Sequence, residues 1–133
     1  MQIELPWPPK VLSPNARTHY LVKARSVKKY RWSCFILARQ IRPAFQNTGD
    51  SGGDIALTIT FCPPDSQRRD RDNMIAAFKA GADGLAQGWG VNDSRFVPTY
   101  RVGNPAKNGS VIVALETNRP DAGSIIPAPE AAA

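Results

Sequence analysis

The chain has 133 residues, 42% of them hydrophobic, and a formal net charge of +6. This length fits one domain with an ordinary core, and no apolar run reaches the roughly 18 residues that a membrane span needs. The N-terminus does not predict a signal peptide, so the cytoplasm is the expected location. A single histidine, His19, and two cysteines, Cys34 and Cys62, exclude a histidine-rich metal site and a disulfide framework.

Positive charge is concentrated in the first third of the chain. Residues 1–45 contain nine Lys or Arg and one acid, Glu4, so this part carries +8 and the remainder −2. A basic segment beside an acidic cluster favours a polyanionic partner whose phosphates approach a metal ion. The alternative is a solvated basic surface, and the charge alone does not decide between the two.

Apolar periodicity predicts a strand over residues 2–6, then a loop over 10–25, then a helix over 27–42 that Ser26 caps. One face of this helix is apolar: Val27, Tyr30, Cys34, Leu37, Ala38 and Ile41. Another face is basic and carries one aromatic ring: Lys28, Arg31, Phe35, Arg39 and Arg42. The helix can therefore pack on a core with one face and meet phosphates with the other.

A second strand is predicted over residues 54–62 and a second helix over 73–87, which Gly81 and Gly84 weaken. Two more strands follow, over 95–103 and 110–117, and Asn108-Gly109 between them is typical of a hairpin turn. The order β-α-β-α-β-β predicts an α+β fold, a single domain in which a mixed sheet is covered by two helices. That domain spans residues 1–118, and residues 119–133 are predicted to be a disordered tail.

Residues 68–73 (RRDRDN) combine two aspartates with three arginines just before the second predicted helix. In an extended stretch, side chains two residues apart point the same way, so the carboxylates of Asp70 and Asp72 converge. Neighbouring carboxylates resist joint ionisation, and a bound Mg²⁺, which prefers oxygen ligands, removes that conflict. Asp93, in the loop after the helix, is the third candidate ligand. The arginines place positive charge where a scissile phosphate would lie.

A structural role competes with this interpretation. Asp70 or Asp72 can cap the helix and pair with a neighbouring arginine. The Asp-x-Asp pattern also occurs in haloacid-type phosphatases, where it ends an apolar parallel strand, and in glycosyltransferases, which are usually much longer chains. The preceding residues 67–69 (QRR) are not apolar.

Three segments carry a family resemblance: residues 5–9 (LPWPP), 68–73 (RRDRDN) and 89–93 (WGVND). Together they resemble the RusA-type Holliday-junction resolvases, small endodeoxyribonucleases of phages and prophages, over residues 2–117. The resemblance implies a homodimer that uses Mg²⁺, with Mn²⁺ as a substitute, to cut four-way DNA junctions. Asp70, Asp72 and Asp93 match the family's metal-binding catalytic aspartates.

The chain departs from that family at two positions. Asn92 stands where the family often has the first of two aspartates, and Ala76 stands where it has a catalytic lysine. Lys79 is the nearest replacement, because positions 72 and 79 lie only about 20° apart on a helical wheel. An ion pair with Asp83, four residues later, is the alternative role of Lys79.

For a resolvase, residues predicted to grip the DNA arms lie in the first loop, on the first helix and beside the aspartates: Asn15, Arg17, Lys23, Arg25, Lys28, Arg31, Arg39, Arg68, Arg69 and Arg71. Phe35, Trp32 and Tyr20 are candidates for stacking on unpaired bases, and burial in the core is the alternative for them. Two other functions stay open: a catalytically silent junction-binding module and a phosphohydrolase acting on a small molecule.

Overall fold

The computed structural model describes residues 1–43 and 53–116, so the predicted tail over 119–133 lies outside the described residues. Its strands and helices are β1 (Gln2–Pro6), α1 (Tyr20–Gln40), β2 (Ile55–Cys62), α2 (Arg71–Ala77), α3 (Lys79–Trp89), β3 (Phe96–Val102) and β4 (Ser110–Leu115). Short 3₁₀ turns occupy Lys10–Leu12 and Asp93–Arg95. The predicted α+β class is confirmed, with a mixed sheet and helices in one domain.

The four strands lie in the order β1-β4-β2-β3. β2 and β3 are parallel and are joined by the crossover through α2 and α3, whereas β4 runs antiparallel to both β1 and β2. The predicted hairpin is therefore wrong, because β4 does not pair with β3. Asn108 and Gly109 do adopt positive φ angles of 65° and 73°, but the turn carries the chain across β2 to the gap beside β1.

Apolar side chains align across the sheet and explain this strand order. Val113 of β4 pairs with Ile3 on one side and Ile59 on the other, and all three are buried. In β1 and β2 the buried residues alternate with more exposed ones, so a shift of one position would expose their apolar set. Placing β4 in the centre buries its valines between two apolar strands.

Helix α1 begins earlier than predicted. His19 Nδ1 accepts a hydrogen bond from the backbone N–H of Leu21 at 3.2 Å, so His19 rather than Ser26 is the N-cap. No proline or glycine lies between His19 and Ser26 to stop the helix. At the other end the helix stops at Gln40, and Ile41 is exposed instead of lying on the buried face.

The second predicted helix is divided at Phe78 into α2 and α3. The backbone N–H of Phe78 donates to the carbonyls of both Met74 and Ile75, at 3.0 and 3.2 Å. This shared bond tightens the chain locally, while the Phe78 ring is buried against Phe61 with the ring centroids 5.9 Å apart. Burial of that ring holds the junction in place.

Three glycines of α3 face α1 and set the distance between the helices. A Cβ at Gly84 would lie 2.2 Å from the carbonyl oxygen of Arg31, and one at Gly88 would lie 2.5 Å from the Cβ of Ala38. A Cβ at Gly81 would meet the rings of Phe78 and Tyr30. The glycines that weaken the helix by propensity thus allow close packing of α3 on α1.

Both cysteines are buried free thiols, as predicted. Burial raises the pKa of Cys34 to about 12, so the thiol stays protonated. Within residues 1–43 and 53–116, no helix combines the length and apolar content needed to cross a bilayer.

Candidate functional site

The segment that leads to the paired aspartates is folded on itself. β2 ends at Cys62, and the loop that follows is held by the carboxylate of Asp65. Asp65 Oδ1 accepts from the backbone N–H of Gln67 at 2.9 Å and from Arg69 Nη1 at 2.8 Å. The hydrogen bond from Arg69 lowers the pKa of Asp65, which therefore remains ionised at neutral pH.

Arg69 also connects this loop to the start of the chain. Its guanidinium carbon lies 5.9 Å from the centroid of the Trp7 ring, and Trp7 packs edge-on against Phe61 at 6.3 Å. A Cβ at Gly109 would meet Trp7 at 2.9 Å, so the indole fills the space above that turn. Residues 5–9 and 68–73, two of the segments behind the resemblance, are thus in direct contact.

Asp70 and Asp72 lie together at the exposed start of α2. Asp70 is the N-cap, and its Oδ1 accepts from the backbone N–H of Asp72 at 2.9 Å. The predicted capping role is therefore confirmed for Asp70. The accompanying arginine pair is not formed, because the ion pairs among the described residues involve Asp65, Asp83 and Asp93.

Asp93 lies in a different local group, next to Lys79. Lys79 Nζ is 3.1 Å from Asp83 Oδ1 and 3.6 Å from Asp93 Oδ2. The hydrogen bond to Asp83 is the main reason why the pKa of Lys79 is raised, so the ammonium stays charged at neutral pH. The predicted Lys79–Asp83 pair is present, and the same lysine also reaches the third predicted aspartate. Asn92 caps the turn that carries Asp93 by accepting from the N–H of Ser94 at 2.9 Å.

The three predicted aspartates offer oxygen ligands that suit a hard divalent cation, but the structure does not bring all three together. Carboxylate oxygens are the ligands that Mg²⁺ prefers, commonly one or two of them together with water and substrate phosphate. Asp70 and Asp72 are both exposed at the start of α2, but Asp72 lies inside the helix and not in the extended stretch from which convergence of the two carboxylates was predicted. That geometric reason for the prediction is therefore wrong. Across the described ranges, no three His, Cys, Asp or Glu side chains come together as a metal-binding group, so the three aspartates do not form one. A site formed by all three aspartates stays a prediction.

The basic face of α1 forms an open groove of about 520 Å³ against the end of α3. We call it the α1 groove, and its lining residues are Arg25, Lys28, Lys29, Arg31, Trp32, Phe35 and Gln87. Lys29 and Gln87 were not among the predicted DNA contacts. The spacing of Arg25, Lys29 and Trp32 at i, i+4 and i+7 places them on one helix face and could have identified Lys29. Gln87 comes from another helix and has no such local signal.

The other predicted DNA contacts are spread over the surface. Asn15 and Arg17 are exposed before α1, and Arg68 and Arg71 are exposed beside the aspartates. Two of the predicted contacts have partners within the protein. Arg69 is held by Asp65, and the Arg39 guanidinium lies over the ring of Phe35 at 5.8 Å.

Fold and surface together define a small α+β domain with two exposed aspartates at the start of α2 and a cationic groove on α1. No protein-family model matches the chain. Over 120 residues it is 36% identical to an uncharacterized protein of Xylella fastidiosa strain Temecula1, and the match covers 85% of this chain and 74% of that protein. The chain belongs to the same family as that protein.

Proposed function

We propose that the chain is a metal-dependent endodeoxyribonuclease of the RusA type that resolves four-way DNA junctions. The observation that carries this proposal is the placement of two exposed aspartates, Asp70 and Asp72, at the start of α2, next to Arg69, which packs on Trp7. Two segments of the resemblance thus contact each other through Arg69 and Trp7, directly before the aspartates in the chain. The +8 charge of residues 1–45 supports a DNA substrate.

In this proposal Asp70 and Asp72, together with Asp93, hold Mg²⁺ or Mn²⁺. A divalent cation held by these residues would supply the Lewis acidity that phosphodiester hydrolysis needs. One water is consumed, its oxygen bonds to phosphorus, and the P–O3′ bond breaks as the 3′-oxygen takes up a proton. Lys79, charged at neutral pH, offsets negative charge on the phosphate in the transition state. Arg71, exposed between the aspartates, binds the neighbouring phosphate.

The proposed enzyme acts as a cytoplasmic homodimer in DNA recombination and repair. A four-way junction has two-fold symmetry, and its resolution needs two coordinated nicks. A two-fold dimer presents one carboxylate site to each of the two strands.

Metal removal tests the proposal directly. We expect the protein to nick a synthetic four-way junction in Mg²⁺ and to lose all nicking when EDTA is added, because the carboxylates cannot activate water alone. A denaturing gel of end-labelled junction measures this, with a linear duplex of the same sequence as the control substrate. Nicking that persists in EDTA, or none under any divalent ion, would contradict the proposal.

A silent junction-binding module is the second candidate, favoured because the three aspartates do not form a metal-binding group among the described residues. Such a module would bind the junction and slow its migration in a mobility-shift assay, but it would not cut the junction in Mg²⁺. Its affinity would still fall steeply with salt, because each phosphate contact releases counterions. The cleavage gel and the shift assay, run on one preparation, separate the two candidates.

Lys79 provides a test of the catalytic site that does not alter a carboxylate. We expect Lys79→Gln to lower the rate of junction cleavage by about 100-fold, the usual effect of losing one group that stabilises transition-state charge. Junction affinity should change little, because one exposed charge is removed from a strongly basic protein. Single-turnover cleavage and a mobility-shift titration measure the two effects separately.

Lys107→Gln, in the turn before β4, removes the same charge from an exposed position that forms no ion pair among the described residues, and it is the matched control. Melting curves should be similar for both variants, since an exposed ion pair contributes about 0–1 kcal/mol. Equal cleavage by Lys79→Gln and the wild type would show that Lys79 only pairs with Asp83 and Asp93.

A further inference from the structure

The α1 groove contains an exposed aromatic ring beside several cations. Trp32 is 61% exposed, which is unusual for the largest apolar side chain. Its ring stacks on Phe35 with the centroids 5.2 Å apart and the planes 25° from parallel. Burial in the core, the alternative weighed for this ring, is therefore wrong for Trp32.

Phe35 and Arg39 support Trp32 from one side. The Arg39 guanidinium lies over the Phe35 ring at 5.8 Å, so the three side chains form a continuous stack on the surface of α1. Phe35 is only half-buried. The indole therefore packs on Phe35, and the larger part of its surface is open to solvent.

The charge of the groove identifies the chemistry of its occupant. Four of its seven lining side chains are Arg or Lys, and none is acidic. An apolar peptide or a lipid tail would leave these cations without partners. A nucleic-acid strand satisfies both features, because its phosphates pair with the cations and every base has a face that stacks on an aromatic ring.

We infer that the α1 groove binds a single-stranded DNA segment, with one unpaired base stacked on Trp32 and its flanking phosphates held by Arg25, Lys28 and Lys29. Gln87, at the rim, offers amide donors and acceptors to the edge of that base. Gln87 lies eight residues after Lys79 in α3, which corresponds to about 12 Å along the helix. The inference deepens the proposed function, since a strand leaving a branch point can contact both places.

Binding is tested in EDTA, so that no cleavage takes place. A fluorescein-labelled oligothymidylate is titrated with the full-length protein and followed by anisotropy. We expect Trp32→Ala to weaken this binding by about tenfold, the usual loss for one stacked base. Trp32→Phe keeps an aromatic face and should stay within about threefold of the wild type. A blunt duplex of equal length should bind all three proteins alike.

Intrinsic fluorescence gives a second readout of the same event. Trp89 is 1% exposed and Trp7 half-buried, so the solvent-exposed indole is that of Trp32. Adding oligothymidylate should quench the emission of the wild type and leave that of Trp32→Phe unchanged. Lys28→Gln should lower the salt dependence of binding by about one counterion, whereas the control Lys107→Gln should not.

Several results would overturn the inference. One is that Trp32→Ala binds the oligonucleotide as tightly as the wild type does. Another is that Trp32→Ala loses as much affinity for the duplex as for the oligonucleotide. A change in sedimentation mass on Trp32→Ala, with DNA binding intact, would identify the face as an interface between two copies. Emission already typical of a covered indole in the free protein would show that part of this chain fills the groove. None of these results depends on junction cleavage, so this inference and the proposed nuclease activity can fail independently.

Discussion

Replacing Asp70 by Asn should abolish junction cleavage while leaving the protein folded and able to bind DNA. Because Asp70 is an N-cap, this substitution can separate the charge of the side chain from its capping role. Asp70 accepts a hydrogen bond from the backbone N–H of Asp72, and Asn serves as an N-cap as well as Asp does. The substitution therefore removes the charge of a metal ligand without removing the cap. A direct ligand should matter more than the groups around it, whose loss costs about 10- to 100-fold.

We accordingly expect cleavage by Asp70→Asn to fall by at least about 100-fold. Junction affinity should be kept or increased, because a negative charge that faces phosphate is lost. Single-turnover cleavage in Mg²⁺ and a mobility shift in EDTA measure the two effects. The melting temperature should match that of the wild type, since the cap is preserved.

Two further variants separate the cap from the charge. Asp70→Ala removes both and should be inactive and less stable by about 1 kcal/mol. Glu4→Gln removes one exposed acid from β1 and should cleave normally. If Asp70→Asn cut the junction at near the wild-type rate, Asp70 would be only a helix cap, and the silent-module function would be favoured.

Gly84→Ala should be strongly destabilising, although alanine is the better helix former. In an exposed helix this change would gain about 1 kcal/mol. Here the new Cβ would lie 2.2 Å from the backbone oxygen of Arg31 and 3.1 Å from the backbone nitrogen of Phe35. Backbone atoms of a buried helix pair cannot rotate away, so α1 and α3 must separate. Overpacking of this kind costs about 1–3 kcal/mol, and more where the backbone itself is displaced.

We expect a net loss of about 2 kcal/mol for Gly84→Ala, which lowers the melting temperature by roughly 8 °C. Circular dichroism during thermal and urea unfolding measures it. Ala76→Gly, at an exposed position in α2, isolates the propensity effect and should cost about 1 kcal/mol. A Gly84→Ala protein that melts above the wild type would show that the helices are not in close contact there.

The local pattern of apolar residues was sufficient to predict most strands and helices of the fold. The alternating apolar residues of β1 and β2 identified both strands to within one residue, because a half-buried strand shows its period in its own sequence. Tyr30, Cys34 and Ala38 were predicted on the buried face of α1 and are buried. The helix after Asp70 was expected for the same reason, and capping by Asp70 or Asp72 was the structural alternative to a metal-binding role. In each case the determining contacts lie within a few residues of each other.

The helix boundaries were less well predicted. Ser26 is a good capping residue, but His19 caps α1 instead, and the helix is longer than its apolar face suggested. Packing of Phe78 against Phe61 divides the second helix, although no proline or glycine marks the position. An isolated segment contains no information about which aromatic ring will meet it. Helix boundaries that depend on such a contact cannot be predicted from apolar periodicity.

Composition and periodicity by themselves determined an α+β domain, its apolar faces, the paired aspartates at a helix start and the cationic face of α1. Only the tertiary structure placed β4 between β1 and β2, brought Lys79 to Asp93, and turned the glycines of α3 into a contact surface. The reason is physical: a residue's helix or strand preference depends on its neighbours in the chain. Strand order, ion pairs across a loop and the fit of two helices depend on which distant surfaces bury each other.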